Sequence, residues 1–209
     1  MILYAATSNP NKLAEFQSAA LADGIAIEAL PNLKQIPEPI EDATTFQGNA
    51  DLKAIAYSLA APGLLVFADD SGLEVPALNN RPGVRSARFA DDLRFDLPSA
   101  NNPSSSTPDQ RNNSLLLHLM EHQPSRAARF VCALAVARDG HILLRANGAV
   151  EGQLLHHPRG SDGFGYDPLF LIPSLNLTFA ELPREHKWQL SHRGNAFRSL
   201  LAQLRDVRL

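Results

Sequence analysis

The sequence has little of what would place it in a membrane or in an oxidising compartment. Its 209 residues include one cysteine, Cys132, so neither an intrachain disulfide nor a cysteine metal site can form. Cys132 lies in the apolar run 130–137, which predicts a buried side chain that packs in a core. No apolar run approaches the roughly 18 residues of a membrane span, and residues 1–6 contain no basic leader. We therefore expect a soluble, cytoplasmic protein that has no membrane partner.

A basic excess is also missing. The chain has 19 Lys and Arg against 22 Asp and Glu, a formal net charge of −3. Because a broad nucleic-acid surface needs clustered positive charge, no nucleic-acid partner is expected. A small anionic ligand needs only a local cationic pocket, which this balance permits. The 44% hydrophobic content suffices for one domain spanning residues 1–209.

Strands and helices alternate along the chain, which predicts an α/β fold. Asn9 suits a helix N-cap with Pro10 at the first helical position, and Asp139-Gly140 suits a two-residue hairpin turn. The predicted strands are 2–6, one around Ile25 and Ile27, 64–68, 128–138 and 141–147. The predicted helices are one from Pro10 through Leu13, Phe16, Ala20 and Leu21, then 44–61, a short one around 115–120, and 193–204. Residues 91–112, rich in Ser, Asn and Pro, predict a flexible loop.

The turn after the first strand is a candidate phosphate site. It consists of Thr7, Ser8, Asn9, Pro10, Asn11 and Lys12. Backbone N–H groups at a helix start, the helix dipole and a lysine together suit a phosphate. The spaced glycines of a P-loop are missing. An ordinary helix cap is the alternative interpretation.

Asp69 and Asp70 follow the apolar strand 64–68, which they are predicted to terminate with Ser71 and Gly72. Adjacent carboxylates at the end of a buried strand require a cation or hydrogen bonds in compensation. Hard oxygen ligands suit Mg²⁺, which also favours phosphate oxygens. Strand alternation sends the two side chains to opposite faces. A solvated turn is the alternative.

Residues 160–168 form a glycine-rich loop. Phe164, between Gly163 and Gly165, could stack on a base, since glycines allow close backbone approach to a ligand. Asp167 could accept hydrogen bonds from a base or organise the loop. A tight turn with Phe164 and Tyr166 as core anchors is the alternative.

Lys187 and the segment 191–194 supply further positive charge. Lys187, His192 and Arg193 lie close to a predicted helix start and could contact an anion or a carbonyl oxygen. A solvated charge cluster capped by Ser191 is the alternative. The pairs His118/His122 and His156/His157 each lack a third metal ligand, so we interpret them as structural or solvated.

Taken together, these segments resemble the inosine triphosphate pyrophosphatase family from residue 3 to about residue 204. The resemblance rests on five stretches: Thr7 to Lys12, Ala68 to Leu73, Pro82 to Arg88, Gly163 to Pro168 and Ser191 to Arg193. It implies an α/β fold with an elongated mixed β-sheet flanked by helices, two lobes and an active site in the cleft between them. It also implies a homodimer that hydrolyses purine (deoxy)nucleoside triphosphates such as ITP, dITP and XTP to the monophosphate and pyrophosphate, with Mg²⁺.

The resemblance also assigns roles to residues. Asp70 becomes the catalytic carboxylate and a Mg²⁺ ligand, with Glu41 as a further acid at the metal. The residues implied to bind substrate are Thr7, Ser8, Asn9, Pro10, Asn11, Lys12, Lys53, Ser71, Phe164, Gly165, Tyr166, Asp167, Lys187, His192 and Arg193. The proton acceptor is left open among Asp69, Asp70 and Glu41. Donors from Arg193, His192 or the loop backbone would favour the 6-keto group of hypoxanthine and xanthine.

Two positions depart from the family pattern. Gly48 stands where the family usually carries a glutamate, which removes one acid from the site. Asn79-Asn80 replaces Gly-Gly, a mild change because asparagine tolerates a left-handed backbone. Two other functions therefore stay open: a related pyrophosphatase for another triphosphate, and a nucleotide-binding regulator without turnover.

Overall fold

The computed structural model describes residues 1–20, 24–94 and 106–206. Its strands are β1 (Ile2–Ala5), β2 (Ala26–Ala29), β3 (Val66–Val75), β4 (Arg81–Pro82), β5 (Ala127–Arg138), β6 (His141–Leu154), β7 (Phe170–Ile172) and β8 (Leu177–Thr178). Its helices are α1 (Pro10–Ala20), α2 (Phe46–Ala60), α3 (Phe89–Asp92), α4 (Pro108–Leu119), α5 (Arg184–Leu190) and α6 (His192–Asp206), with 3₁₀ turns at Leu33–Gln35, Pro76–Leu78 and Gly83–Arg88.

The described strands form one mixed sheet in the order β2-β1-β3-β5-β6-β7-β8, with β4 paired to β3. β1 is parallel to both β2 and β3, whereas β4, β7 and β8 pair antiparallel with their neighbours. The predicted α/β class with a mixed sheet is therefore confirmed. None of the described helices is long and apolar enough to cross a membrane.

The chain divides into two compact units, each with its own core. The first lies within Met1–Ser71, Val131–Ala149 and Trp188–Leu209, and the second within Gly72–Phe130 and Val150–Lys187. In the first core, the Phe16 ring packs edge-on against Phe67 at 5.1 Å between centroids and lies 5.0 Å from Phe197. Cys132 is fully buried there as predicted, and burial raises the pKa of its thiol to about 12.

The second core is built around Phe130, Phe170 and Phe179. Phe170 lies 4.5 Å from Phe130 and 5.1 Å from Phe179 between ring centroids. Around these rings pack Leu73, Leu116, Met120, Leu154, Tyr166 and Leu169. The loop after β6 therefore begins at Leu154 and ends at Leu169, and both residues pack in this core.

Three predicted boundaries were wrong. β3 does not end at Asp69 but continues to Val75, so both carboxylates lie inside a strand. α4 begins at Pro108, within the predicted loop 91–112, because Thr107 and Gln110 form a capping box. α3 occupies the first residues of that loop, while residues 95–105 lie outside the described chain. β6 runs seven residues beyond its predicted end, to Leu154.

Other elements agree with the sequence. Asp139 and Gly140 have φ of 51° and 80°, the left-handed pair that a two-residue hairpin between β5 and β6 needs. The predicted stripe Phe46, Ala50, Ala54 and Tyr57 is buried on α2. α6 buries Ala196, Leu200, Leu201 and Leu204 as predicted. Leu21, assigned to the first helix, lies outside the described residues.

Close packing against β6 fixes the start of α6. A methyl group added to Gly148 would overlap the backbone of His192 and Ala196. The backbone of α6 cannot move aside as a flexible side chain could, so only glycine fits at residue 148.

We therefore expect Gly148→Ala to lower the free energy of unfolding by about 1–3 kcal/mol, the usual cost of overpacking a well-packed site. Urea unfolding measures the change. Asn147→Ala, at the exposed neighbouring position of β6, is the matched control and should stay within about 0.5 kcal/mol of the parent. Equal stability of the two variants would contradict the close approach of α6.

Candidate active site

The turn after β1 is organised as a helix cap. The Asn9 side-chain oxygen accepts from Lys12 N at 3.3 Å, and the Thr7 hydroxyl accepts from Asn9 N at 3.2 Å. The predicted N-cap is thus confirmed, with Pro10 as the first residue of α1. Ser8 and Pro10 are exposed, so this turn presents an accessible helix start.

Parallel pairing brings this turn to Asp69. Ala5 of β1 pairs with Phe67 of β3, so the turn begins at the level of the carboxylates. Lys12 Nζ donates to Asp69 Oδ2 at 2.7 Å. Burial alone would raise the pKa of Asp69, but the charges of Lys12, Arg193 and Lys53 outweigh it and hold that pKa well below its ordinary value. Asp69 is therefore ionised at neutral pH and interacts favourably with these three cations.

Asp70 faces a different set of partners. Asn49 Nδ2 donates to its Oδ2 at 3.0 Å, and Ser71 N donates to its Oδ1 at 3.1 Å. Burial raises the pKa of Asp70 in spite of the opposing charge of Lys53 and the Asn49 hydrogen bond, and the charges of Glu41 and Asp69 add to the increase. The two adjacent carboxylates thus have pKa values shifted in opposite directions.

Lys53 joins Asp70 to Glu41. Its ammonium lies 3.1 Å from Glu41 Oε2 and 3.6 Å from Asp70 Oδ1. Two hard carboxylates from separate segments therefore converge on one cation. This donor set fits Mg²⁺, which binds one or two protein carboxylates and completes its shell with phosphate oxygens and water. Within the described residues no group of three or more His, Cys, Asp or Glu could hold a metal by itself.

Arg193 and His192 start α6 and are buried. The Arg193 guanidinium donates to Glu15 Oε2 at 2.9 Å and to Ser71 Oγ at 3.3 Å. Ser191 Oγ accepts from Gly194 N at 3.1 Å, the cap expected there. The alternative of a solvated charge cluster is wrong, since Arg193 is 3% and His192 6% exposed.

In the second unit, the glycine-rich loop closes on Asp167. Asp167 Oδ2 accepts from Phe164 N at 2.8 Å and from Lys187 Nζ at 2.6 Å. The Lys187 ammonium also lies 5.1 Å from the centre of the Phe164 ring. Of the two roles considered for Asp167, the geometry supports organisation of the loop. Tyr166 is buried and donates to Ser86 O at 2.9 Å, so it is a core anchor.

Helix α4 holds the backbone of the same loop. Gly165 N donates to Asp109 Oδ2 at 2.7 Å, and Asn113 Nδ2 donates to Gly165 O at 2.9 Å. Residues four apart share one helix face, so one face of α4 binds both the N–H and the carbonyl oxygen of Gly165. Phe164 remains half-buried beside it.

Sequence reasoning missed several of these supporting residues. They are Glu15, Asn49, Ser86, Asp109 and Asn113. A polar Asn49 beside Phe46 and Ala50 in the apolar stripe of α2 was a usable signal, because a buried amide requires partners. The i,i+4 spacing of Asp109 and Asn113 was another. His118, His122, His156 and His157 are all exposed.

Gly48 leaves no room for the missing glutamate. Its N–H donates to Thr45 Oγ1 at 3.0 Å in the cap of α2. A side chain at this position would begin 2.7 Å from the Ala43 methyl group and 3.1 Å from Thr45 Oγ1. The acid lost at residue 48 therefore cannot be restored without moving Ala43.

The fold and this cluster define a mixed α/β protein whose lysines and carboxylates suit a phosphate-bearing ligand and a divalent cation. The Ham1 family model matches residues 3–203, and the chain belongs to that family. It is 52% identical to the dITP/XTP pyrophosphatase of Acidobacterium capsulatum, with 98% of each chain covered. It is 45% identical to that of Exiguobacterium sp., over 98% of this chain and 97% of the relative.

A solved structure agrees with the fold. The HAM1 protein from Coxiella burnetii is 33% identical to this chain and superposes with a TM-score of 0.83, covering 99% of this chain and 100% of the other. The expected family is thus confirmed.

The Gly48 geometry predicts a compensating pair. Gly48→Ala should destabilise the protein although alanine normally favours a helix, because its methyl group would press on Ala43. Adding Ala43→Gly should recover at least about 1 kcal/mol in a double-mutant cycle measured by urea unfolding. Additive effects of the two substitutions would show that the methyl groups do not meet.

The opposite pKa shifts predict opposite stability effects, measured by urea unfolding at pH 7 with EDTA. Asp69→Asn should lower the free energy of unfolding by about 3 kcal/mol, since it leaves Lys12 and Arg193 without their shared anion. Asp70→Asn should keep or raise it, by up to about 1 kcal/mol, because a buried charge is removed.

The pH dependence follows from the sign of the Asp69 shift. A lowered pKa contributes stability above the ordinary carboxyl pKa, and this contribution disappears as the pH falls from that value towards the folded-state pKa. Asp69→Asn should therefore lose less stability than the parent in acid. A larger loss in the free energy of unfolding for Asp70→Asn than for Asp69→Asn at pH 7 would contradict the opposite pKa shifts of the two carboxyl groups.

Proposed function

We propose that this chain hydrolyses non-canonical purine nucleoside triphosphates, namely dITP, XTP and ITP, to the monophosphate and pyrophosphate. The observation that carries the proposal is the convergence of Asp70 and Glu41 on Lys53, beside the Lys12–Asp69 pair. The high identity to two dITP/XTP pyrophosphatases supports the substrate class.

The triphosphate binds at the turn from Thr7 to Lys12 and at Lys53. The dipole of α1 favours a phosphate at this helix start, where backbone N–H groups donate to phosphate oxygens, and the two ammonium groups offset the charge of the polyphosphate. Ion pairs with carboxylates hold both lysines in place.

Asp70 and Glu41 would hold Mg²⁺, and a bound Mg²⁺ would neutralise charge on the phosphate oxygens. Asp70 orients the attacking water, and Asp70 or Glu41, whichever coordinates Mg²⁺ less tightly, accepts its proton while the bond to the pyrophosphate leaving group breaks. Of the three acids considered for this step, Asp69 fits least, because a carboxylate with a lowered pKa is a weak base.

Two separate features, one in each unit, suit a purine base. Phe164 provides a ring face on a loop fixed by Asp167 and Lys187. His192 and Arg193 provide donors that favour a 6-keto purine over a 6-amino purine. A homodimer in the cytoplasm completes the proposal and rests on the resemblance to the family.

We expect pyrophosphate release from dITP, XTP and ITP in the presence of Mg²⁺, and preference over dATP by about 10⁴ in kcat/KM, as for sites built on hydrogen bonds. Coupled detection of pyrophosphate over a panel that includes GTP and dTTP measures it. Asp70→Asn should lose about 10²–10⁴-fold in kcat.

Asp42→Asn, an exposed acid next to Glu41, is the matched control and should keep parental kcat. Preference for dTTP would favour a related pyrophosphatase for another triphosphate. Tight binding of ITP without pyrophosphate release would favour the regulator, and either result would overturn the proposed reaction.

A further inference from the structure

Asn49 is a buried polar residue within the apolar stripe of α2. Only 1% of it is exposed, and it lies between Phe46 and Ala50 on the face that packs inward. A buried amide that lost its hydrogen bonds would destabilise the fold, so its partners identify what it does.

The two ends of the Asn49 amide have different partners. Its Oδ1 accepts from Ala43 N at 3.0 Å, and its Nδ2 donates to Asp70 Oδ2 at 3.0 Å. Because a backbone N–H can only donate, Ala43 selects the oxygen end and thereby turns the amide nitrogen towards Asp70. The orientation of Asn49 is therefore fixed by the backbone.

This hydrogen bond determines how Asp70 presents its oxygens. Oδ2 is held by Asn49, while Oδ1 accepts from Ser71 N and lies 3.6 Å from Lys53 Nζ. Ala43 is two residues beyond Glu41, so the same amide connects the segment of Glu41 to Asp70. One side chain thus sets the position of one carboxylate relative to the other.

We propose that Asn49 is a positioning residue, which fixes the rotamer of Asp70 and couples it to the Glu41 segment so that both carboxylates meet the same cation. The proposal rests on the proposed function insofar as Asp70 acts on substrate. A purely structural role would need only the acceptor for Ala43 N, because that bond ties the segment before α2 to the helix.

Asn49→Asp separates the two roles. Aspartate has the same shape and keeps an acceptor for Ala43 N, but it replaces the donor to Asp70 with a second carboxylate. Asn49→Ala removes both bonds. Asn176→Asp, the same exchange in an exposed turn, is the matched control.

Two measurements are made at pH 8, where neighbouring carboxylates are least able to share a proton, and below the unfolding transition of each variant. One is kcat and KM for dITP. The other is Mn²⁺ affinity by electron paramagnetic resonance in the absence of nucleotide, which does not depend on turnover.

We expect Asn49→Asp and Asn49→Ala both to lose about 10–100-fold in kcat, the usual effect of removing a group that orients a metal ligand. We expect the KM for dITP to change much less, because the phosphate turn is untouched. The Mn²⁺ affinity of Asn49→Ala should fall, and Asn176→Asp should match the parent in every measurement.

Parental kcat in Asn49→Asp, with a loss confined to Asn49→Ala, would overturn the proposal in favour of the structural role. If Asn49→Asp fails to fold, unchanged kcat and Mn²⁺ affinity in Asn49→Ala would overturn it equally. Absence of pyrophosphate release by the parent chain is a separate result. That result would contradict the proposed function. Unchanged Mn²⁺ affinity in Asn49→Ala would still overturn the positioning role of Asn49.

Discussion

The charge balance around Asp69 is the constraint on which the first unit depends. Two adjacent carboxylates inside a continuous buried strand are unfavourable unless cations surround them. Lys12 from α1, Lys53 from α2 and Arg193 from α6 supply that compensation, so three helices are tied to one position of β3. The charges of these three cations compensate Asp69, whereas its neighbour Asp70 has a different electrostatic environment.

Asp70 occupies that environment. It is buried, it has weaker compensation, and the geometry gives it only neutral donors and a shared lysine. A group held in a state that burial disfavours is a typical feature of a reactive site, and it reduces stability while it provides reactivity. In the proposed reaction, Asp69 and Asp70 thus divide two tasks: the first stabilises the unit and the second takes part in the chemistry.

The glycine-rich loop of the second unit follows a different principle. It is fixed by hydrogen bonds that close locally on Asp167 and by the grip of α4 on Gly165. Asp167 and the backbone of Gly165 are therefore committed to holding the loop, and the half-buried Phe164 ring beside them is the part proposed to contact a base. Organisation of a recognition loop by polar groups behind it is a general way to keep a binding surface rigid.

The sequence alone determined the class of fold, the helix start at Asn9-Pro10, the Asp139-Gly140 hairpin and the family, since each depends on local chemistry or on ordered motifs. It also identified Lys12, Lys53, Asp70, Lys187 and Arg193 as candidates. It placed the end of β3 wrongly, because a sequence does not show that Lys12 and Asn49, distant along the chain, neutralise and bind carboxylates inside the strand. Only the tertiary structure decided the contacts of Asn49, Asp109 and Glu15, and the opposite pKa shifts of Asp69 and Asp70, because burial and long-range pairing exist only after the chain has folded.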